Sequence, residues 1–99
     1  MNSIDSKVKN DEMNLLFSAI LKLNTIEECY SFFEDIATVN EIKSLAQRIQ
    51  VAKLLSEKKT YTDIAEITGA STATISRVNR CLNYGSHGYK TILERLKEN

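Results

Sequence analysis

The residues able to do chemistry gather in one stretch, Tyr61 to Arg80. Ser71, Thr72, Ala73 and Ser76, in a segment with helical spacing, are small and polar or methyl-bearing. Side chains this small let a helix come close to base-pair edges, where hydroxyls exchange hydrogen bonds and methyls meet thymine. Arg77, Asn79 and Arg80 follow at a reach suited to phosphates or bases. No Asp or Glu occurs from Ala70 to Leu93, and an acid there would repel backbone phosphates. An ordinary helical hairpin with a Ser/Thr-rich exposed face would carry Glu beside its Lys, so nucleic-acid contact is the stronger reading.

These side chains need two short helices to hold them. Thr60 with Asp63 reads as the cap of one helix, running through Thr68 and ended by Gly69. Ser71 or Thr72 caps the next, reaching about Leu82. Ala65 falls where the two helices cross, and a larger residue would force them apart. Gly69, four residues on, suits a turn that needs positive φ. Ile75 packs back toward Ile64 and Ala65, and Val78 continues that buried face. Two short helices joined by a Gly turn match a helix-turn-helix, whose second helix enters the major groove. Lys58 and Lys59, in the polar break just before it, are expected phosphate contacts, and Ser71, Thr72, Ala73 and Ser76 the expected base readers.

The rest of the chain must build the platform. Apolar residues at three- and four-residue steps predict a helix over about 10–23. Thr25 with Glu28 opens a second, and Thr38 with Glu41 a third over about 39–57. The third shows Val39, Ile42, Leu45, Ala46, Ile49, Ala52 and Leu55 on one face, widened by Val51 and Leu54. Asn83 to Ser86 reads as a loop before a last helix over about 87–97. With no proline and three glycines in 99 residues, many tight turns are excluded, and an all-α single domain is expected. Phe17, Tyr30, Phe32 and Phe33 are large groups on small elements. They bury either in an ordinary monomer core or against a second copy of the chain. Cys29, among them, reads as a small core residue.

The charges sum to zero, 13 basic against 13 acidic, but they are unevenly placed. Residues 1–40 hold three basic and seven acidic residues, a net of −4; residues 41–99 hold ten and six, a net of +4. A basic second half suits an anionic partner. No apolar run approaches the ~20 residues that span a bilayer, and the start has no basic-then-apolar signal pattern. Cys29 and Cys81 are too few for a disulfide framework and have no metal-ligand spacing. These features point to the cytoplasm. His87 has no companion ligand or nucleophile. With no phosphate-binding loop or paired acids either, no enzyme, metal or cofactor is expected.

Thr38-Val-Asn-Glu41, Leu45-Ala-Gln-Arg48, Gly69-Ala-Ser-Thr-Ala-Thr-Ile-Ser-Arg-Val78 and Arg80-Cys-Leu-Asn-Tyr-Gly85 resemble the Trp repressor superfamily, its YerC/YecD branch in particular. The likeness extends to Leu15-Leu-Phe-Ser-Ala-Ile-Leu21 and Glu28-Cys-Tyr-Ser-Phe-Phe33. It implies six helices in an intertwined homodimer: dimerisation helices over 10–57, the helix-turn-helix over 60–82 and a C-terminal helix over 86–97. It also implies a bacterial, nucleoid-associated repressor that binds an operator in double-stranded DNA. The family holds L-tryptophan between two arginines, which Arg48 and Arg77 match, while Thr38 and Thr74 match the threonines of that pocket. Val78 stands where the family has glycine, and Cys81 where it has serine. Val78 would intrude on the ligand, which speaks against L-tryptophan and leaves any corepressor unidentified. Arg48 and Arg77 either bind another small anion or planar molecule, or serve structurally, against a carboxylate and a phosphate. Thr62 and Ala65 stand where the family has basic base-reading residues, so Thr62 joins the expected DNA contacts but the family's operator should not transfer. A ligand-gated sensor and a protein-interaction module built on the same hairpin are the competing readings.

Overall fold

The computed structural model describes residues 9–98. Among these residues six helices follow one another: α1 Asp11–Ile20, α2 Ile26–Ile36, α3 Val39–Ser56, α4 Tyr61–Thr68, α5 Thr72–Tyr84 and α6 Gly88–Leu96. There is no strand among the described residues. The chain divides into two compact units, Met1–Thr38 and Val39–Asn99.

In the first unit, Asn10 caps α1 by accepting from the Met13 N–H at 2.9 Å. The helix stops at Ile20, short of the expected residue 23. Lys22 and Leu23 donate to Ala19 and Ile20 at 3.0 and 3.1 Å, a tighter i→i−3 pattern that closes the last turn. Thr25 caps α2 as its spacing predicts, its hydroxyl accepting from the Glu28 N–H at 3.0 Å. The Glu28 carboxylate reaches back one residue further than in the usual box, to the Asn24 N–H at 2.8 Å. Phe32 and Phe33 meet edge to face, 5.5 Å between centroids. Neither α1 nor α2 has a buried residue. Cys29 is exposed, not the core residue expected, because the first unit has too few elements to bury any side chain of α2 fully.

The second unit contains the core. Val51, Ala52, Ile64, Ala70, Ile75, Val78 and Leu93 are buried, with Ile49, Leu54, Leu55, Ala65, Leu82 and Tyr89 packed around them. Complete burial of an Ile or Val contributes about 1.5–3 kcal/mol, so Ile64, Ile75, Val51 and Val78 carry much of the unit. α4, α5 and α6 all pack on α3, and its core contacts fall between Ile49 and Leu55. Val51 is therefore central, not peripheral, while Val39 and Leu45, expected on the packed face, are exposed.

The connections set the aim of α5. α3 ends with Lys58 N–H donating to the Leu55 carbonyl and Lys59 N–H to the Leu54 carbonyl, at 3.0 and 3.1 Å. This paired closure places Lys58 at φ 67°, a position glycine usually takes. Thr60 caps α4 by accepting from the Asp63 N–H at 3.1 Å. Gly69 ends it at φ 75°, as the turn requires. Around it, the Thr68 hydroxyl donates to the Ile64 carbonyl at 2.7 Å and accepts from the Ala70 N–H at 3.0 Å. Ser71 caps α5. That helix runs two residues beyond Leu82, taking in Asn83 and Tyr84, which the sequence suggests as loop. Asn83 Nδ2 donates to the Asn79 carbonyl at 2.9 Å, which lets an asparagine sit inside the helix. Gly85 then stops it: a Cβ there would collide with the Cys81 carbonyl.

Candidate nucleic-acid interface

α5 has two sides of opposite character. Ile75 and Val78, each 1% exposed, face the core, and Leu82 packs beside them. Steps of three and four residues put Ala73, Ser76, Arg77, Arg80 and Tyr84 on the other side, where with Cys81 and Gly85 they line an open groove. The helix thus presents hydroxyl, methyl and guanidinium groups outward along thirteen residues, about 20 Å at 1.5 Å per residue.

The expected base readers differ in what they have to offer. Thr72, Ala73 and Ser76 are exposed. The Ser71 hydroxyl is already engaged: it accepts from the Thr74 N–H at 3.1 Å and donates to the Thr74 hydroxyl at 3.1 Å. Its contribution is first to start the helix. Arg77 and Arg80 lie together in the outer groove. Lys58 and Lys59 line a different cleft, beside Asn79 and Asn83 on the flank of α5. Thr62, in the first turn of α4, is exposed and lines neither.

The residues of the expected ligand pocket are drawn from both units. Arg48 on α3 and Thr74 on α5 are half-buried, and Val78 is turned into the core. Thr38 is the last residue of the other unit and is exposed. Arg48, Arg77 and Cys81 share a neighbour, the phenol of Tyr89 on α6. Burial pushes that phenol above its ordinary value of 10.0; the Cys81 thiolate adds to the rise, and the Arg48 and Arg77 guanidiniums partly offset it. Sequence reading passed over Tyr89. Its signal was the Tyr89–Leu93 spacing, one helical turn, with Leu93 buried and Tyr89 next to the core.

Cys29 and Cys81 are free and exposed. Among the described residues, no three His, Cys, Asp or Glu side chains are grouped to hold a metal ion, and no helix is long and apolar enough to cross a membrane.

Comparison with known proteins agrees with this geometry. The family model for the Trp repressor protein matches residues 11–97. The uncharacterized protein YerC of Bacillus subtilis (strain 168) is 56% identical over 92 residues, covering 93% of this chain and 88% of YerC. The crystal structure of a TrpR-like protein from Eubacterium eligens ATCC 27750 superposes with a TM-score of 0.89 at 60% identity, over 93% of this chain and 95% of that one. That of a Trp repressor candidate from Staphylococcus aureus gives 0.89 at 50% identity, over 94% and 93%. With its six helices, its glycine-turned α4–α5 hairpin and these relatives, the chain belongs to the Trp repressor family, in its YerC-like branch.

Proposed function

We propose that this protein is a sequence-specific DNA-binding transcriptional regulator, a repressor, that acts as a homodimer and reads the major groove with α5. One observation carries the reading. The outward side of α5 carries hydroxyl, methyl and guanidinium groups and no acid along its length, while its inward side is fixed in the core by Ile75 and Val78. A helix anchored in this way can enter a groove without rearranging. The family relation supports both regulation and repression, since the Trp repressor family is a regulatory one and not an enzymatic one.

The dimer is supported by the first unit. Leu15, Leu21, Ile26 and Tyr30 are 73%, 83%, 71% and 66% exposed. Two helices with no buried residue and this much apolar surface call for a cover, and a second copy supplies one by symmetry. Two α5 helices would then meet successive major grooves about 34–36 Å apart, the spacing known for dimeric helix-turn-helix proteins, Trp repressor among them.

Selection of bound duplexes from a random library tests the reading, and palindromic sites are the expected result. Arg80→Ala should weaken binding to all sequences alike, whereas Thr72→Ala should change the sequences preferred. Identical behaviour of the two variants, or no enriched sequence, would refute it. Light scattering of the purified protein should give twice the chain mass.

A further inference from the structure

Beyond the outer groove of α5 lies a second surface. The end of α3, the flank of α5 and α6 enclose an open cleft of about 610 Å³ with Lys58, Lys59, Lys90 and Lys97 on its walls. Glu94 is the one carboxylate lining it. In a chain with equal numbers of acids and bases, four cations against one anion is a local excess. Asn79 and Asn83 complete the α5 wall. Asn83 Nδ2 donates to Asn79 Oδ1 at 3.2 Å, which occupies the Asn79 oxygen and leaves its amide N–H groups as donors.

Two further features bear on what this cleft could hold. Lys58 holds φ 67°, a conformation that costs a side chain about 1 kcal/mol or more relative to glycine. A strained lysine at the rim of a cationic cleft is a cue to function. The cleft also continues the reading surface, because Asn79 and Asn83 lie one turn beyond Ser76 and Arg80 respectively. No polar or charged side chain is buried among the described residues, so the cleft lacks the desolvated anchor that a small phosphorylated ligand would need. Spread, exposed cations next to a reading helix fit an extended polyanion instead.

We propose that this cleft seats the sugar–phosphate backbone of duplex DNA, and that Lys90 and Lys97 of α6 contact phosphates together with Lys58 and Lys59. The proposal rests on the reading of the chain as a duplex binder and extends the footprint to a helix outside the helix-turn-helix. The test is the double variant Lys90→Gln/Lys97→Gln, its fold checked by circular dichroism and thermal melting. Binding is followed by fluorescence anisotropy on a selected and a scrambled duplex, between about 50 and 200 mM salt. The slope of log K against log salt should become shallower by about 0.9 for each lysine–phosphate contact removed, with affinity falling alike on both duplexes. Lys53→Gln, on a lysine paired with Glu57 at 3.7 Å and outside the cleft, should leave the slope unchanged. If the unaltered protein binds duplex and the double variant matches it in slope and affinity, the cleft proposal is overturned and the α5 reading stands. If the unaltered protein binds no duplex at the lowest salt, both fall together. If inorganic tripolyphosphate raises the melting temperature of the unaltered protein while the double variant keeps full DNA affinity, the cleft holds a free phosphate and the proposal is again overturned.

Discussion

Gln47 of α3 donates from its side-chain amide to the backbone carbonyl of Thr68 at 3.2 Å, directly before the glycine that turns the chain into α5. The bond spans twenty-one residues of sequence and is half-buried. It satisfies a carbonyl at the end of α4, where the helix itself supplies no partner, and so fixes the hairpin to its platform.

Gln47→Ala should therefore lower stability by about 1 kcal/mol, the usual net worth of such a bond with its acceptor left wanting. Thermal melting would show this as a fall of roughly 4–8 °C if the unit melts like a domain of 60–100 residues. Gln47→Glu should not rescue the loss, because a carboxylate cannot donate to a carbonyl.

Gly69→Ala should cost about 1–2 kcal/mol, the penalty of a Cβ in the left-handed region. No atom lies within 4 Å of the position a Cβ would take, so the penalty is one of conformation and not of collision. Gly69→Asn should then recover part of the loss, since asparagine tolerates that region better. Chemical denaturation of the three proteins checks the order.

Lys58→Gly should act in opposite senses on folding and binding. Glycine relieves the positive φ and should raise the melting temperature by an amount worth up to about 1 kcal/mol. The same change removes a cation from the cleft and should weaken duplex binding with a shallower salt dependence. Calorimetry and anisotropy on one preparation separate the two effects.

The Tyr89 phenol has a folded-state pKa above its unfolded value of 10.0, burial being the main cause. Folding therefore favours its protonated form. The resulting stability is fully present below pH 10 and is lost as pH rises through the folded value. Tyr89→Phe should melt with little change near neutral pH and lose less stability than the unaltered protein above pH 10. Parallel melting curves across that range check it.

Much of this arrangement was legible in the residues themselves. Thr25, Thr60 and Ser71 announce their helices because each cap is a local hydrogen bond to an N–H three residues on. Gly69 announces the turn because a backbone angle decides it. The burial of Ile64, Ile75 and Val78 follows from their spacing. What escaped depends on neighbours distant in sequence. The centrality of Val51 needs α4, α5 and α6 to be packed on α3. The place of Tyr89 beside Arg48 and Arg77 needs α6 to fold back. The exposure of Cys29 could not be read from an apolar face, since a face does not reveal what covers it. Lys58 in a glycine position gave no signal, because the residue type argues against the conformation it holds.

His87 stands directly before α6 at φ 68° and forms no side-chain cap, and Leu93 is the helix's one buried residue. Such a helix is held to the rest mainly by two side chains, Leu93 and the half-buried Tyr89 beside the core, with no side-chain cap on its first turn. Among the second unit's elements its local opening should cost the least, so its amide hydrogens should exchange with solvent soonest. The lysines it carries thus stand on the wall that should yield first to an uneven partner, opposite a helix anchored in the core by Ile75 and Val78.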